Sequence, residues 1–402
     1  MSKDIIPVLL GADLNCYSVA RAFAEEYGVR SHAFGKYPLG ETSHSKIVDF
    51  TSVEGLEKSD ILCRTLLSFA DSHPKDELYL LGCTDEYAKV ISENKGILGE
   101  RYFCPCPSSH IMESVISKAN FYELCGKYGI PHPKTKIINN EQELPLISNL
   151  GLPYPIIIKP SSSVEYWRTP FDGMKKVYVV KDEEEARSII NKIYSSGYQN
   201  SIILQDLVPG GEDATYVLTA YSDKNANVRM LCMGHVLLGE HTPKGLGNHV
   251  AIITEFHSEV AERLASFLQN IGYTGFANFD IMYDKRDGSF RVLELNPRQG
   301  RSNYYVTASG ANIARLVVDD NRNTLEREKI ICKEEFFWHT VPKSIIYDYI
   351  MDKELEHMVR SLVSRGKSAT TLFYAEDIKN PLRLAYVLFH NARYFEKFRL
   401  YR

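Results

Sequence analysis

Residues 276–302 read FANFDIMYDKRDGSFRVLELNPRQGRS, and the reading of this stretch decides the fold. A short apolar run ends at Asp280, a charged turn follows at Asp284 to Gly288, and the return run RVLELN places Glu294 and Asn296 two residues apart. Side chains alternate faces along a strand, so Glu294 and Asn296 point the same way while Leu295 packs behind them. A hairpin brings Asp280 opposite them, and Arg298 follows Pro297. Two carboxylates and an amide oxygen make a hard, all-oxygen set suited to Mg²⁺ bridging phosphates. The arginine offers a planar fork for a phosphoryl oxygen. That pattern is phosphoryl chemistry. Hairpins with two acids and an arginine on a solvated face are common, so the residues upstream carry the decision.

A chain of 402 residues has room for about two or three domains. With 44% hydrophobic and 24% charged residues it reads as an ordinary globular protein. A formal net charge of -4, with no recognisable nucleic-acid module, argues against a nucleic-acid partner. The first twenty residues, MSKDIIPVLLGADLNCYSVA, lack the h-region and cleavage site of a signal peptide. No window approaches the roughly 18 uncharged apolar residues of a membrane span. The eight cysteines are scattered, which is cytoplasmic usage and not a disulfide scaffold. Cys104-Pro-Cys106 has no matching Cys/His pair and reads as turn sequence; Cys125 and Cys232 sit in apolar contexts and read as core.

Up to about residue 110 the chain alternates strand-like and helix-like runs. Residues 5–11 form a strand, 18–27 a helix, 29–35 a strand, 56–72 a helix and 77–83 a strand. This rhythm gives an open, Rossmann-like parallel sheet. Its first turn, Gly11 to Asn15, holds one glycine and fails the dinucleotide fingerprint. Residues 110–130 are helical by periodicity, ended by Gly129-Ile130-Pro131. Then come the run KTKIINN, a helix beginning at Glu141, the strand YPIIIKP, a Ser-rich loop, the strand KVYVV, a helix from Asp182, and the strand SIILQDLV. A strand-dominated region follows from about residue 212. From about 330 the tail is apolar, aromatic and increasingly basic, with five Lys/Arg and one acid between Pro381 and Arg402. A helix of that kind packs on its own domain, lies on an anionic membrane surface or partner, or binds an anionic substrate.

Lys159 closes the apolar strand IIIK, a placement that suits a point-charge contact with phosphate. Ser161, Ser162 and Ser163 open a donor-rich loop that reaches Gly173 and could close over phosphates. Lys118, in the helix before Pro131, is a second candidate phosphate ligand. In IILQDLVPGGED a strand runs into a Pro-Gly-Gly turn followed by Glu212 and Asp213. Main-chain groups around Gln205, Asp206, Leu207 and Val208 can bond a purine, while an acid after the turn reaches ribose hydroxyls. Arg229 lies inside a strand, where a cation needs a partner, and an anionic ligand or an acid such as Glu294 would supply one.

In this order, Lys118, Lys159, the QDLVPGGED linker, Arg229, Asp280 and the Glu294-x-Asn296-x-Arg298 run resemble the ATP-grasp superfamily over about residues 1–320. The resemblance implies a mixed α/β and α+β fold, an N-terminal Rossmann-like parallel sheet followed by a two-lobed ATP-grasp fold. The corresponding segments are 1–110, the pre-ATP-grasp domain; 111–209, the first lobe with its small α+β subdomain; 210–330, the second lobe; and 331–402, a basic aromatic extension. It also implies ATP phosphates on Lys118 and Lys159, adenine on Gln205 to Val208, and ribose on Glu212 or Asp213. Mg²⁺, as two ions for which Mn²⁺ substitutes, falls to Asp280, Glu294 and Asn296, and the transferring phosphoryl group to Arg298. One departure is the loop 161–173, which holds Glu165, Tyr166, Trp167 and Arg168 where a Gly-rich flap is usual. The segments VLLGADLNCYSVARAF, GCTDEYAKVI and ELNPRQGRSNYYVTASGANI look most like the D-aspartate ligase branch of carboxylate–amine ligases, which act on peptidoglycan precursors.

The chemistry so implied needs no protein nucleophile: a carboxylate attacks the γ-phosphate, and an amine then displaces phosphate to leave an amide. The partners in view are an amino acid, an amine-bearing cell-wall precursor peptide, a weak membrane contact of the tail and a second copy of the chain. Arg301 is the candidate for the acyl substrate's carboxylate. Lys244 and His249, in the loop HTPKGLGNHV, are candidates for covering the amine or acyl site, His249 as a base. Asp85 and Glu86, after the strand ending at Cys83, cap a helix or bind a substrate group, with capping the preferred reading. The competing expectations are another ATP-grasp ligase, a biotin-dependent carboxylase and a non-catalytic ATP-binding protein.

Overall fold

The computed structural model describes residues 4–144, 151–242 and 245–401, apart from the side chains of residues 163 and 164. The first part alternates strand and helix: β1 (Ile5–Leu10), α1 (Leu14–Tyr27), β2 (Ser31–Gly35), β3 (Val48–Ser52), α2 (Ser59–Asp71) and β4 (Glu77–Gly82). After it come α3 (Asp85–Glu93), α4 (Lys95–Leu98) and β5 (Tyr102–Phe103). Every strand pair here is parallel, in the order β3-β2-β1-β4-β5. Helix α1 begins four residues before the expected Ser18, because the Asp13 side chain accepts from Cys16 N and fixes the start. Gly11 has φ +140°, and a Cβ there would stand 3.0 Å from that of Cys83, so the turn ending β1 tolerates only glycine.

Next come α5 (Ser109–Ile116), α6 (Lys118–Lys127), β6 (Thr135–Ile138), β7 (Ile156–Pro160), α7 (Ser163–Trp167), β8 (Tyr178–Val180), α8 (Glu183–Ser195) and β9 (Ile202–Asp206). Their antiparallel sheet runs β6-β9-β7-β8. The continuous helix expected over 110–130 is two helices, because Ser117 takes an extended conformation and its hydroxyl accepts from Asn120 N. The helix expected from Glu141 is a 3₁₀ turn over residues 141–144, and residues 145–150 lie outside those described.

The remainder builds β10 (Thr215–Ser222), β11 (Val228–Gly239), β12 (His249–Thr254), α9 (Ser258–Asn270), β13 (Gly275–Asp284) and β14 (Ser289–Asn296). It continues with α10 (Tyr304–Ala308), α11 (Ile313–Arg322), β15 (Ile330–Cys332), β16 (Phe337–His339), α12 (Lys343–Tyr349), α13 (Lys353–Ser364), β17 (Ser368–Thr370) and α14 (Pro381–Leu400). The second large sheet has the order β14-β13-β10-β11-β12-β16-β17, with β15 paired to β11. The chain packs as two compact units: Met1–Met112, Glu212–Phe279 and Asn296–Arg402 form one, Glu113–Gly211 and Asp280–Leu295 the other. The first holds clusters centred on Tyr17, Leu80 and Phe337, and the second a core of Ile156, Tyr166, Ile190 and Leu204.

The basic tail ends in α14, which starts at Pro381 after Asn380 caps it and turns Arg383, Val387, Tyr394 and Phe398 inward within the first unit. Arg383 and Asp377 form an ion pair of 3.0 Å with both side chains fully buried. No helix among the described residues is long and apolar enough to cross a membrane.

Candidate active site

In the second unit, Lys159 stands near the end of β7 between β8 and β9, its stem packed by the sheet. Its Nζ donates to Gln205 Oε1 (3.0 Å) on β9 and to Tyr122 OH (3.3 Å) on α6. Both acceptors are neutral. Burial, reinforced by the neighbouring charge of Lys118, pulls the Lys159 ammonium down to about 7. Lys118 is the first residue of α6, set there by the Ser117 cap, and its Nζ lies 3.2 Å from Glu294 on β14. Tyr122, one turn further along α6, donates to the Leu293 carbonyl (2.6 Å) and ties the helix to the same strand. Burial pushes the Glu294 carboxyl up, but Lys118, a hydrogen bond with Asp280 and the field of Lys159 outweigh it and hold the group well below the usual carboxylate range. Two carboxyls within hydrogen-bonding reach repel when both are ionised, and a divalent cation between them relieves that repulsion. Asn296 follows Glu294 at i+2 on β14, on the same strand face. The donor chemistry therefore fits Mg²⁺, and the paired lysines fit phosphate.

Other expectations meet a different arrangement. The serine loop contains a helical turn, α7, capped by the Ser162 hydroxyl through Glu165 N. Ser161 Oγ lies 3.4 Å from Tyr198 OH, and the Ser163 side chain is outside those described. Tyr166 anchors this segment, fully buried and bonded to Tyr178 OH and the Lys175 carbonyl. In the expected adenine segment, the Asp206 carboxylate is taken by Arg286 (2.6 and 3.2 Å), which also grips Asp284. Gln205 spends its side chain on Lys159 and Thr135. Leu207 is half-buried and Val208 buried just beyond β9. Arg229 pairs with Asp223 (2.7 Å) and donates to the Arg327 carbonyl (2.9 Å), an internal partner that the sequence reading did not name.

In the first unit, Glu212 opens a 3₁₀ turn and meets His241 at 3.1 Å, while the Asp213 carbonyl meets His235 Nε2 at 2.8 Å. His249 begins β12, paired with Gly239, and is a strand residue where a loop was expected; Lys244 lies outside the described residues. After β14 the chain passes over the carboxyl ends of β1 and β4, the place where strand order reverses and open sheets take ligands. Gln299 Nε2 donates to the Gly82 carbonyl (3.2 Å), and Asn15 Nδ2 donates to the carbonyls of Cys83 (2.8 Å) and Gln299 (3.1 Å). Asn303 Nδ2 donates to Asn15 Oδ1 at 2.7 Å. This buried amide network fixes the segment carrying Arg298 and Arg301. Arg298 grips Asp85 with its fork, Nε to Oδ1 at 2.8 Å and Nη2 to Oδ2 at 3.1 Å. Asp85 is thus not the cap of α3; Thr84 is, accepting from Tyr87 N.

Sequence reasoning passed over Tyr122, although it lies at i+4 from Lys118 on one helix face. It passed over Asp85 as an arginine partner, although an acid just beyond a parallel strand stands where ligand-binding groups collect. Asn15, Gln299 and Asn303 carry no local pattern that marks them as one network.

No family model matches the chain. It is 37% identical over 412 residues to the D-aspartate ligase of Enterococcus faecium (strain Aus0004), covering 100% of this chain and 97% of that protein. Over 209 residues it is 24% identical to the C-terminal section of the carbamoyl phosphate synthase large chain of Methanopyrus kandleri, 49% of this chain and 35% of that one. Among solved structures, the phosphoribosylamine–glycine ligase of Thermotoga maritima superposes with a TM-score of 0.57 at 16% identity, over 83% of this chain and 78% of that one. The L-amino acid ligase of Bacillus licheniformis gives 0.55 at 16% identity, over 82% and 76%. These structures share the fold, and fold alone does not carry a reaction. The Enterococcus relative goes further, because the likeness runs through essentially the whole of both sequences: the chain belongs to the D-aspartate ligase family, whose members are ATP-grasp carboxylate–amine ligases.

Proposed function

We propose that this protein uses ATP and Mg²⁺ to join D-aspartate to the amine of a peptidoglycan-precursor peptide in the cytoplasm, through an acyl-phosphate. The observation that carries the reading is Lys159, a half-buried ammonium beside a second lysine, whose hydrogen bonds go to two neutral oxygens and whose nearest opposing charge is Glu294. A polyphosphate supplies the missing negative charge, and that attraction favours nucleotide binding at this point.

Lys118 and Lys159 bind the phosphates and neutralise charge as it develops on the oxygen leaving with ADP. Asp280, Glu294 and Asn296 would hold Mg²⁺, which would supply charge neutralisation on the transferring phosphoryl group. An oxygen of the substrate carboxylate attacks the γ-phosphorus, the bond to the β-phosphate oxygen breaks, and ADP leaves with that electron pair. The amine nitrogen then attacks the acyl carbon, phosphate departs, and the nitrogen gives up a proton to leave the amide. Main-chain groups of Gln205 to Val208 receive the adenine. Arg298, oriented by Asp85, is the candidate for the phosphoryl oxygens, and Arg301 for the carboxylate of the amino acid.

The test is phosphate release from ATP and Mg²⁺ with D-aspartate, L-aspartate and other amino acids, each with and without a UDP-linked muramyl pentapeptide, with product masses read in parallel. Release that needs both D-aspartate and the peptide, with a mass gain of one aspartyl residue, is the expected result. Release with a different amino acid or amine moves the protein to another ligase specificity, and silence across the panel overturns the reading.

A further inference from the structure

We propose that Arg301, Glu41 and the inner face of α14 at Tyr386 and His390 form the recognition pocket for a zwitterionic amino acid, with Arg301 receiving a carboxylate and Glu41 the ammonium. The inference deepens the ligase reading and rests on it for the identity of the amino acid.

Three segments of the first unit are locked together here. Thr42 Oγ1 donates to the Ala12 carbonyl (3.0 Å), joining the loop after β2 to the turn after β1. Arg383 Nη1 donates to the carbonyls of Gly40 (3.0 Å) and Ser43 (3.3 Å), joining that loop to α14. Gly40 lies so close that a Cβ would stand 2.2 Å from the Tyr386 ring, which only glycine permits. On α14 the His390 ring lies 5.7 Å from Tyr386 and 4.9 Å from Tyr394, and Tyr394 donates to Glu240 Oε2 (3.0 Å). The charge of Arg301 reaches Asp13, Glu41, Tyr386, His390 and Tyr394, which puts these side chains within its electrostatic range.

Within this assembly some polar groups are balanced and others are not. Asp377 is engaged by Arg383, Tyr17, Ser45 and the Lys46 N–H, while Arg383 Nη2 is buried with no hydrogen-bond partner among the described residues. Arg301 makes no hydrogen bond or ion pair among the described residues, and neither does Glu41 beyond its own backbone N–H. His390 Nδ1 is buried with no hydrogen-bond partner among the described residues. Burial pushes the Glu41 carboxyl up and, helped by the nearby cations, pulls His390 down to about 4, so the imidazole is neutral and offers one acceptor and one donor. A guanidinium, a carboxylate with no ion pair among the described residues and an unspent imidazole nitrogen are the complements of a carboxylate and an ammonium on one small molecule. The basic tail thereby gains a role: its inner face roofs the pocket.

The test is calorimetric binding of D-aspartate, L-aspartate and glycine to the full chain with Mg²⁺ and a non-hydrolysable ATP analogue, for the wild type, Glu41→Gln, Arg301→Gln and Tyr386→Phe. The expected result is a loss of D-aspartate affinity of tenfold or more in Glu41→Gln and Arg301→Gln, a smaller loss in Tyr386→Phe, and unchanged affinity for the nucleotide analogue. The nucleotide measurement identifies a variant that has failed to fold, and Tyr386→Phe keeps the ring packing. Wild-type affinity for D-aspartate in the folded Glu41→Gln and Arg301→Gln proteins overturns the pocket, as does a wild type that binds no amino acid. Amide formation is followed separately. Product with an unchanged KM for the amino acid in Glu41→Gln defeats the pocket and leaves the ligase reading; amino-acid binding that depends on Glu41 without any amide product does the reverse.

Discussion

Arg383 and Lys159 are both cations withdrawn from water, and the protein treats them in opposite ways. Arg383 has Asp377 at 3.0 Å, two backbone carbonyls and the face of Tyr17 4.3 Å below its guanidinium. Lys159 has an amide oxygen, a phenol and the opposing charges of Lys118 and Glu294, with no ion pair of its own among the described residues. Burying a charge costs free energy, which the fold recovers only where it supplies the opposite charge. At Arg383 it has done so, and the pair holds α14 in place. At Lys159 the opposing charge within reach is Glu294, shared with Lys118, and on the proposed function an incoming anion supplies the rest of the compensation. On that proposal the two cations divide into a structural one and a binding one by what surrounds them.

The largest test of this contrast removes the acid that both lysines feel. Glu294→Gln is expected to lower turnover by about 10³-fold or more, since charge stabilisation at the phosphoryl group carries the rate. Binding of the adenine nucleotide should persist, and a folded variant that forms amide at the wild-type rate breaks the assignment. Arg383→Met leaves Asp377 buried and unpaired, with an expected cost of about 3–5 kcal/mol in denaturant titration. A loss below about 1 kcal/mol would remove the structural half of the contrast. Lys159→Met should weaken nucleotide binding by about 10- to 100-fold, the range of a lost charge-assisted hydrogen bond.

The pH dependence sharpens the same point. On the proposed function Lys159 binds phosphate as the ammonium, and burial lowers that group to about 7, below the ordinary lysine range. Bound phosphate raises that value, so binding takes up a proton above pH 7 and affinity falls as pH rises, by up to about tenfold per unit. Lys118, Glu294 and Lys176 face the same group and set the midpoint. A titration that is flat in the wild type, or equally steep in Lys159→Met, would show that another group controls binding. The smallest effect belongs to Ser117→Ala, which removes the cap that makes Lys118 the first residue of α6 and should cost about 1 kcal/mol of stability.

The hairpin around Glu294 was legible because a strand's two-residue alternation and a charged turn are local signals. The parallel sheet and Lys159 at a strand end were legible for the same reason. Breaks that depend on one hydroxyl were not: the uninterrupted apolar periodicity across 110–130 hides the Ser117 cap. Partner choice was least legible of all. Arg229 was assigned a distant acid, while Asp223 waited six residues back across the turn between β10 and β11. Arg298 and Asp85 are 213 residues apart, and no pattern within a window of sequence can join them. Position along the chain shows which residues can do chemistry; packing decides which of them are already spoken for.

The Tyr17–Asp377 and Arg383–Gly40 bonds close over 360 and 343 residues. At translation rates of roughly 5–20 residues per second, the early loop waits on the order of tens of seconds for the helix that covers it. A nascent chain halted before residue 377 would hold every residue of the lysine–carboxylate cluster and none of the roof over Arg301. Such long closures are slow to form. The proposed amino-acid pocket is therefore assembled later in synthesis than the lysine–carboxylate cluster.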